Sequence, residues 1–175
     1  EEPKGDVVFG KGVHEIKENH IYGPRQRLLI SPGATLKLAP GVSIISRGQT
    51  IIEGTAKAPV VIERLDPSRA WGGLLIIGDD TESSLIRHAD ISGGSLAKSD
   101  YVTTSGMVAM YGSKNLKIDE VLMESNTLSN DTLHIAYGNA RITNSSFANC
   151  FADCIDFDFV SGSIQNLKVR DAGND

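Results

Sequence analysis

The chain has 175 residues, of which 40% are hydrophobic and 22% are charged, a balance typical of one folded domain with a sizeable core. A formal net charge of −5 and the absence of a basic stripe argue against nucleic acid as a partner, because phosphate contacts need clustered Lys and Arg. No apolar run approaches the roughly 20 residues of a membrane-spanning helix.

The first half of the chain reads as short strands separated by turns. Residues 1–27 carry no recognisable repeat and are predicted to form an N-terminal cap. Beyond them, aliphatic and β-branched runs alternate with turn signals such as Pro40-Gly41 and Gly72-Gly73, and no segment has a helical period. The predicted strands are 28–30, 35–38, 42–46, 50–52, 60–62 and 74–77.

Between the two halves, 85–88 resembles an early copy of the segment 116–120. These two copies are 32 residues apart, farther than the later copies are from each other. The extra residues are assigned to 93–105, a polar stretch that is expected to bulge out as a loop.

A repeat of 22 residues marks the second half. Segment 131–137 (Asp-Thr-Leu-His-Ile-Ala-Tyr) matches 153–159 (Asp-Cys-Ile-Asp-Phe-Asp-Phe), and 140–144 matches 162–166 at the same spacing. Apolar and polar residues alternate in 131–137, as in a strand with one buried face. The alternation predicts that Leu133, Ile135 and Tyr137 and their equivalents face the core.

Similar residues at a fixed offset favour a parallel β-helix over a sandwich or barrel of short strands. In a β-helix the equivalent residues of successive coils stack about 4.8 Å apart, and stacking makes one continuous core. A hairpin sandwich gives no reason for similarity at an offset of 22. The predicted fold is therefore an all-β solenoid over residues 28–175, with coils of about 22 to 24 residues.

Several residues recur at turn positions. Asn144 and Asn166 are predicted to stack as a structural Asn ladder. Asp131, Asp153 and Asp175 recur where Asx side chains commonly bond nearby backbone N–H groups.

Two cysteines, Cys150 and Cys154, lie four residues apart. The spacing allows a disulfide across a tight turn, although two stacked or core cysteines are the favoured interpretation. No second Cys pair or nearby His suggests a zinc site built on thiolates.

The runs 30–45 and 52–62, with Trp71-Gly72-Gly73-Leu74 after them, are similar to the opening of many secreted bacterial right-handed parallel β-helix proteins. Segments 142–147 and 153–156 look like repeats of the pectate-lyase-like superfamily. The resemblance covers residues 28–175.

This resemblance implies a right-handed coil, a secreted or cell-surface location and a polysaccharide partner. The chain departs from the best-defined enzymes of that superfamily. It has no Arg-x-Pro-x-x-Arg lyase motif and lacks the combined Asn-Thr-Asp, Asp-Asp and Gly-His-Gly set of polygalacturonases, so no catalytic residue is transferred.

The candidate catalytic residues are His134, Asp156, Asp158 and Tyr111. His134 and Asp156 are equivalent in successive coils, Asp158 shares their face, and Tyr111 is expected nearby. A His or carboxylate could abstract a proton while Tyr donates to a leaving oxygen, and two carboxylates could also serve hydrolysis. Alternatively, Asp156 and Asp158 could bind Ca²⁺, or the His–Asp pair could be only a favourable cross-strand contact.

Three further residues are candidates for substrate binding. Lys117 and Arg141 precede equivalent Ile residues and should stack on one outer face, where they could meet an acidic glycan. A solvated surface with no partner is the alternative. Trp71 could offer a stacking platform for a sugar, or it could fill the core.

Two functions fit these features. One is an extracellular polysaccharide lyase or hydrolase, or part of one. The other is a non-catalytic glycan-binding or structural module of a larger surface protein, such as an adhesin. Segment 171–175 resembles the approach to a new strand, so we expect the β-helix to continue, or another domain or chain to cover the C-terminal coil.

Overall fold

The chain folds as parallel β-strands in one curled sheet. A computed structural model describes residues 4–99 and 101–174, and within these ranges the chain forms a 16-stranded sheet whose strand pairs are all parallel. In the same ranges the only helix is a 3₁₀ turn, Asp79–Thr81. No helix there is long and apolar enough to cross a membrane.

The strands, in chain order, are β1 Gly5–Phe9, β2 Gly12–Ile16, β3 His20–Tyr22, β4 Gln26–Ile30, β5 Ala34–Leu38, β6 Ile44–Ser46, β7 Thr50–Glu53, β8 Val60–Arg64, β9 Leu74–Ile77, β10 Leu85–Ser92, β11 Gly106–Tyr111, β12 Leu116–Glu124, β13 Asp131–Thr143, β14 Ser146–Ala148, β15 Asp153–Gln165 and β16 Lys168–Arg170. The predicted strands of the first half all coincide with observed ones, with ends shifted by up to two residues. The prediction of an all-β chain is confirmed.

The pairings form three ladders. The first ladder joins β1, β4 and β7 to the first part of β10 and β12 and the second part of β13 and β15. The second ladder joins β2, β5, β8, the later parts of β10 and β12, β14 and β16. The third ladder joins β3, β6, β9, β11 and the first parts of β13 and β15. The chain passes through the ladders in this order repeatedly.

The register confirms the predicted repeat. Leu133 pairs with Ile155 and Ile142 with Ile164, both 22 residues on, and Ile86 pairs with Ile118, 32 residues on. One column of the first ladder begins with Phe9 on β1 and is isoleucine from β4 onward, formed by Ile30, Ile52, Ile86, Ile118, Ile142 and Ile164. The first five isoleucines are at most 1% exposed. Each fully buried side chain of this size stabilises the fold by roughly 1.5–3 kcal/mol, so stacking like on like provides the core.

The chain turns sharply at the same place in successive circuits. His88, Glu120, Asn144 and Asn166, which follow one another in register between the first and second ladders, all have positive φ. A left-handed backbone costs about 1–2 kcal/mol for most residues, and Asn tolerates it best because its short amide bonds locally. Here the Asn166 Nδ2 donates to Asn144 Oδ1 at 3.0 Å, so the predicted Asn ladder is confirmed.

Two aromatic residues at a second corner, between the third and first ladders, do not have the expected orientation. Tyr137 and Phe159 were predicted to face the core, but they have positive φ, and their side chains are exposed. The strand alternation ends at the preceding residue because the chain turns there. The two rings stack on each other instead, with centroids 5.2 Å apart.

The two cysteines form a disulfide, in contrast to the favoured interpretation of free core residues. Cys150 and Cys154 are bonded across the turn between β14 and β15, with their Cα atoms 5.3 Å apart. The bond ties this turn to the second residue of β15, the strand that carries Asp156 and Asp158.

The described residues of the segment 93–105 form a loop, as predicted, but this loop does not simply bulge into solvent. Its Ala97 is fully buried against Ile45, Leu75 and Ala109, which lie on the outer side of the third ladder. The loop therefore covers part of that face and brings its last residues to the start of β11.

The ends of the chain bear on two other expectations. β1–β3, inside the predicted cap 1–27, already pair with β4–β6, so strand structure begins earlier than expected; the capping role stays a prediction. At the other end, Phe157, Ile164 and Val169 are 38–46% exposed. The prediction that another domain or chain covers the last coil is untested, and Asp175 lies outside the described residues.

Candidate functional site

The candidate site is centred on His134, on the outer side of the third ladder. Within β13 the neighbouring Leu133 and Ile135 point into the core, so the His134 side chain points outward. On the adjacent strands His134 pairs with Ala109 and Asp156. Its ring has room because alanine occupies the adjacent position on β11.

Tyr111 and Asp158 reach the same imidazole from opposite sides. Both pair with Ala136, which separates them by one strand. Because Ala136 carries only a methyl group, the His134 ring can contact the side chains on either side of it. The sequence therefore predicted correctly that these residues share one face, and their roles there stay predictions.

Two hydroxyl groups bond the Nδ1 atom of His134. Ser105 Oγ lies 2.6 Å and the Tyr111 hydroxyl 3.0 Å from it, and the Tyr111 and His134 rings meet edge to face with centroids 5.1 Å apart. Both hydroxyls can donate to an unprotonated Nδ1. The proton of a neutral imidazole then resides on Nε2, an assignment that follows from the bonding pattern.

Two carboxylates approach the Nε2 atom. Asp158 Oδ2 lies 3.2 Å from it and accepts its proton in a hydrogen bond, and Asp156 Oδ2 lies 3.7 Å away. The carboxylates are about half exposed, whereas the His134 side chain is only 12% exposed. The imidazole is thus held at both nitrogens, and its acidic partners face solvent.

The Tyr111 phenol is kept in its protonated form. Burial raises the pKa of Tyr111, and the negative charges of Asp131 and Asp156 raise it further, while hydrogen bonds with Ser105 oppose the shift. A phenol with a raised pKa stays neutral, so it can donate a hydrogen bond, or a proton to a strongly basic leaving oxygen, and it is poorly suited to act as a base.

Asp131, at the start of β13, is the most unusual residue of the region. Its side chain is fully buried, and Oδ1 accepts a hydrogen bond of 3.0 Å from Asn130. Oδ2 has no hydrogen-bond partner among the described residues, and His134 Nδ1 is 3.8 Å from it. The expected Asx-type bonding to backbone N–H groups is therefore wrong for this carboxylate.

One group of possible metal ligands occurs among the described residues, and it differs from the predicted Asp156–Asp158 pair. Single ligand atoms of Asp131, His134 and Asp156 all lie within 4.8 Å of one another. Asp158 contacts His134 from outside this group. A role for Asp156 and Asp158 in Ca²⁺ binding stays a prediction.

Lys117 and Arg141 lie side by side on the exposed face of the first ladder, as predicted. Neither makes an ion pair with another described residue. They line a shallow groove that also contains Arg87 and Asp119. Two cations on adjacent strands repel each other, so an anion bound between them would relieve that repulsion.

Trp71 is not available as a sugar platform. Its side chain is fully buried, and its indole N–H donates to the Ser92 carbonyl at 2.8 Å. Gly94 lies so close that an added Cβ would come within 2.8 Å of the indole. The prediction of a substrate-binding Trp71 is therefore corrected. A ligand cannot stack on a fully buried ring, and the ring fills the core instead.

Ser105 and Asp131 were missed as site residues. Ser105 belongs to an irregular loop, and its position beside His134 depends on how that loop packs, which no periodicity reveals. Asp131 carried a usable signal, because it is the first residue of the repeated segment 131–137 and lies three residues before His134. Its recurrence at a turn position favoured a structural interpretation instead.

Comparison with known proteins gives little further information. No protein-family model and no curated protein matches this chain. Among solved structures, it is similar to one named a putative glycosyl hydrolase, from Parabacteroides merdae, with a TM-score of 0.40 and 9% identity over 95% of this chain and 79% of that chain. A likeness this weak carries no argument about activity, so the function rests on the side chains themselves.

Proposed function

We propose that the chain is a right-handed parallel β-helix that acts on an extracellular polysaccharide. The three parallel ladders, visited in constant order, support the coiled form, and crossovers between parallel strands are right-handed in about 98% of known cases. The resemblance to pectate-lyase-like sequences supports the polysaccharide. The Cys150–Cys154 disulfide supports a secreted or cell-surface location, because such bonds persist in oxidising compartments.

The observation that carries the catalytic proposal is the convergence of Tyr111, Ser105 and Asp158 on one imidazole. In this proposal His134 Nδ1 accepts a proton from a carbon beside the carboxyl group of an acidic sugar, after the sugar displaces the Ser105 hydroxyl. Tyr111, kept protonated by burial, donates to the leaving glycosidic oxygen. Asp158 orients the ring and stabilises the imidazolium that forms.

Elimination fits this arrangement better than hydrolysis by paired carboxylates. In a glycosidase the two carboxyl groups flank the scissile bond on opposite sides. Asp156 and Asp158 instead approach the same nitrogen of His134 and project from one strand. They are therefore better suited to support the imidazole than to act across a substrate.

The test is a product assay of the chain against a panel of acidic and neutral polysaccharides, with and without Ca²⁺. We expect unsaturated ends, detected by ultraviolet absorbance, from an acidic substrate and none from H134A. H88A is the matched control, because His88 also contacts a carboxylate, Glu120, at 3.0 Å but lies at the corner between the first and second ladders. Full activity of H134A, or no product from any substrate, contradicts the proposed elimination.

The unpaired Lys117 and Arg141 favour a second candidate function, a non-catalytic module that binds acidic glycans along the first ladder. It predicts saturable binding without product. K117A/R141A should then weaken binding to acidic glycans and lower its salt dependence, because each lost cation removes a charge contact. Binding that is equal for acidic and neutral glycans, or unchanged in the double variant, contradicts this candidate.

A further inference from the structure

We propose that Asp131, His134 and Asp156 form a binding site for a divalent transition-metal ion of the Zn²⁺ class. Two independent observations support it. Ligand atoms of the three side chains already lie within 4.8 Å of one another. In addition, Asp131 Oδ2 is the only buried side-chain nitrogen or oxygen atom without a hydrogen-bond partner in residues 4–99 and 101–174.

The unpartnered oxygen calls for a cation. A buried carboxylate without a full set of partners is costly, and native proteins almost always pair such groups or bind a metal with them. His134 Nδ1 lies 3.8 Å from Oδ2, beyond hydrogen-bond range, and already accepts bonds from two hydroxyls. A protonated imidazole would therefore leave the carboxylate only partly compensated.

The distances suit a small tetrahedral ion. Zn²⁺ binds His nitrogen and carboxylate oxygen at about 2.0–2.2 Å, which places neighbouring ligand atoms about 3.4 Å apart. The 3.8 Å between His134 Nδ1 and Asp131 Oδ2 is close to that separation. Asp156 Oδ2 lies 3.7 Å from Nε2, so this side chain, which is 43% exposed, would rotate toward an ion bound at Nδ1.

The surroundings of the imidazole also match a metal site. If Nδ1 binds the ion, Nε2 retains its proton and donates to Asp158 at 3.2 Å. A carboxylate at the far nitrogen is the usual outer partner of a metal-binding His, because it fixes the ring and increases its basicity. The Ser105 and Tyr111 hydroxyls, which now bond Nδ1, would move away so that the Nδ1 lone pair binds the ion.

The donor set selects among cations. An imidazole with carboxylates suits Zn²⁺ and related ions, whereas Ca²⁺ and Mg²⁺ prefer sites built from oxygen alone. The proposal stands apart from the glycan chemistry above, but the two compete for Nδ1. Metal-loaded protein should therefore lose the base that elimination requires, and binding is measured separately from turnover.

The experiment is titration of the chelator-treated full chain with Zn²⁺ alone, followed by calorimetry, with Mn²⁺ and Ca²⁺ as comparison ions. We expect saturable binding of one Zn²⁺ per chain and weaker binding of Ca²⁺. D131N should lower the affinity by about 100-fold or more, whereas D158N should lower it by about 10-fold, as outer partners do. E120Q is the matched control, because Glu120 contacts His88 without a buried carboxylate nearby, and it should bind as the parent does.

Unchanged Zn²⁺ affinity in D131N, or equal losses in D131N and E120Q, would overturn the site. Tighter binding of Ca²⁺ than of Zn²⁺ would overturn the choice of ion. Should D131N fail to fold in circular dichroism, D156N replaces it, because Asp156 is partly exposed on the outer face. D156N is expected to weaken Zn²⁺ binding at least 10-fold, and an unchanged affinity there would likewise contradict the proposal.

Discussion

Two columns of polar residues run along this sheet, and they end in different chemical states. The corner column consists of His88, Glu120, Asn144 and Asn166. What we call the site column joins two neighbouring columns, one with His134 and Asp156 and one with Tyr111 and Asp158, together with the buried Asp131. Both arise because equivalent positions of successive circuits come into register. Stacking alone therefore does not distinguish a functional column from a structural one.

The difference lies in how the polar groups are satisfied. In the corner column, His88 pairs with Glu120, and the amide of Asn144 bonds both Asp119 and Asn166. Its members need no further ligand. In the site column several groups compete for one imidazole, and a buried carboxylate oxygen lacks a partner among the described residues. The site column can therefore still bind a ligand, whereas the polar groups of the corner column already bond one another.

The largest expected effect separates the columns by activity. If His134 and Tyr111 transfer protons, Y111F should lower turnover about 100-fold, because it removes only the donated proton. N144A in the corner column should leave the specific activity within about twofold. Initial rates with the substrate found in the product assay, corrected for folded protein, measure both. A Y111F variant as active as the parent would remove Tyr111 from the mechanism.

The next effect concerns the stability of the corner column. N144A should lower the free energy of unfolding by about 1–2 kcal/mol, because alanine is disfavoured at the φ of 51° and the amide bonds are lost. N144G relieves the backbone part and should cost less. Urea denaturation of the three proteins measures this order. Equal losses in both variants would show that the φ is unimportant.

A smaller effect of opposite sign is expected in the site column. D131N should raise the free energy of unfolding of metal-free protein by about 1 kcal/mol, because it removes a buried charge without changing the size of the side chain. Denaturation in the presence of a chelator provides the measurement. A loss of stability would mean that Asp131 is better compensated than its contacts indicate, and the contrast between the columns would weaken.

The smallest effect is a pH dependence at Asp119, which accepts a hydrogen bond from Asn144 of the corner column. Hydrogen bonds from Thr143, at 2.6 Å, and from Asn144 lower the pKa of Asp119, and the nearby charges of Arg87 and His88 act in the same direction. A lowered pKa in the folded state adds stability above the ordinary pKa of Asp, and this stability is lost as the pH falls through the folded value. D119N should therefore flatten the decline in stability below about pH 4. The same decline in stability at low pH in both proteins would contradict a contribution from Asp119.

Sequence alone predicted much of this architecture. The 22-residue repeat gave the register of Leu133 with Ile155, and turn signals located the short strands, because both depend on local periodicity. The predicted burial of Tyr137 was wrong for a physical reason. Alternation predicts burial only until the chain turns, and an aromatic residue at the turn gives no sign of the corner in the sequence. The predicted substrate-binding role of Trp71 was wrong because its burial depends on packing against Gly94, which is distant in sequence.

The site was predicted in part. His134, Asp156 and Asp158 share a strand period and one repeat, so their proximity followed from the sequence. Ser105 reaches His134 from a loop, and a loop path depends on contacts such as those of Ala97. The lack of a partner at Asp131 Oδ2 depends on every neighbouring group at once. Neither could be read from a pattern.

The loop 93–105 has a consequence for how such a molecule can diversify. The corners fix the register of each circuit, so a circuit that contains this loop still pairs in step with its neighbours on both sides. Because Ser105 ends the loop beside His134, substitutions at this end of the loop would give the imidazole a different hydroxyl, thiol or amide neighbour. A library confined to the residues next to Ser105, with the buried Ala97 and the Gly94 that packs on Trp71 kept, would therefore explore new chemistry while the loop still covers the third ladder.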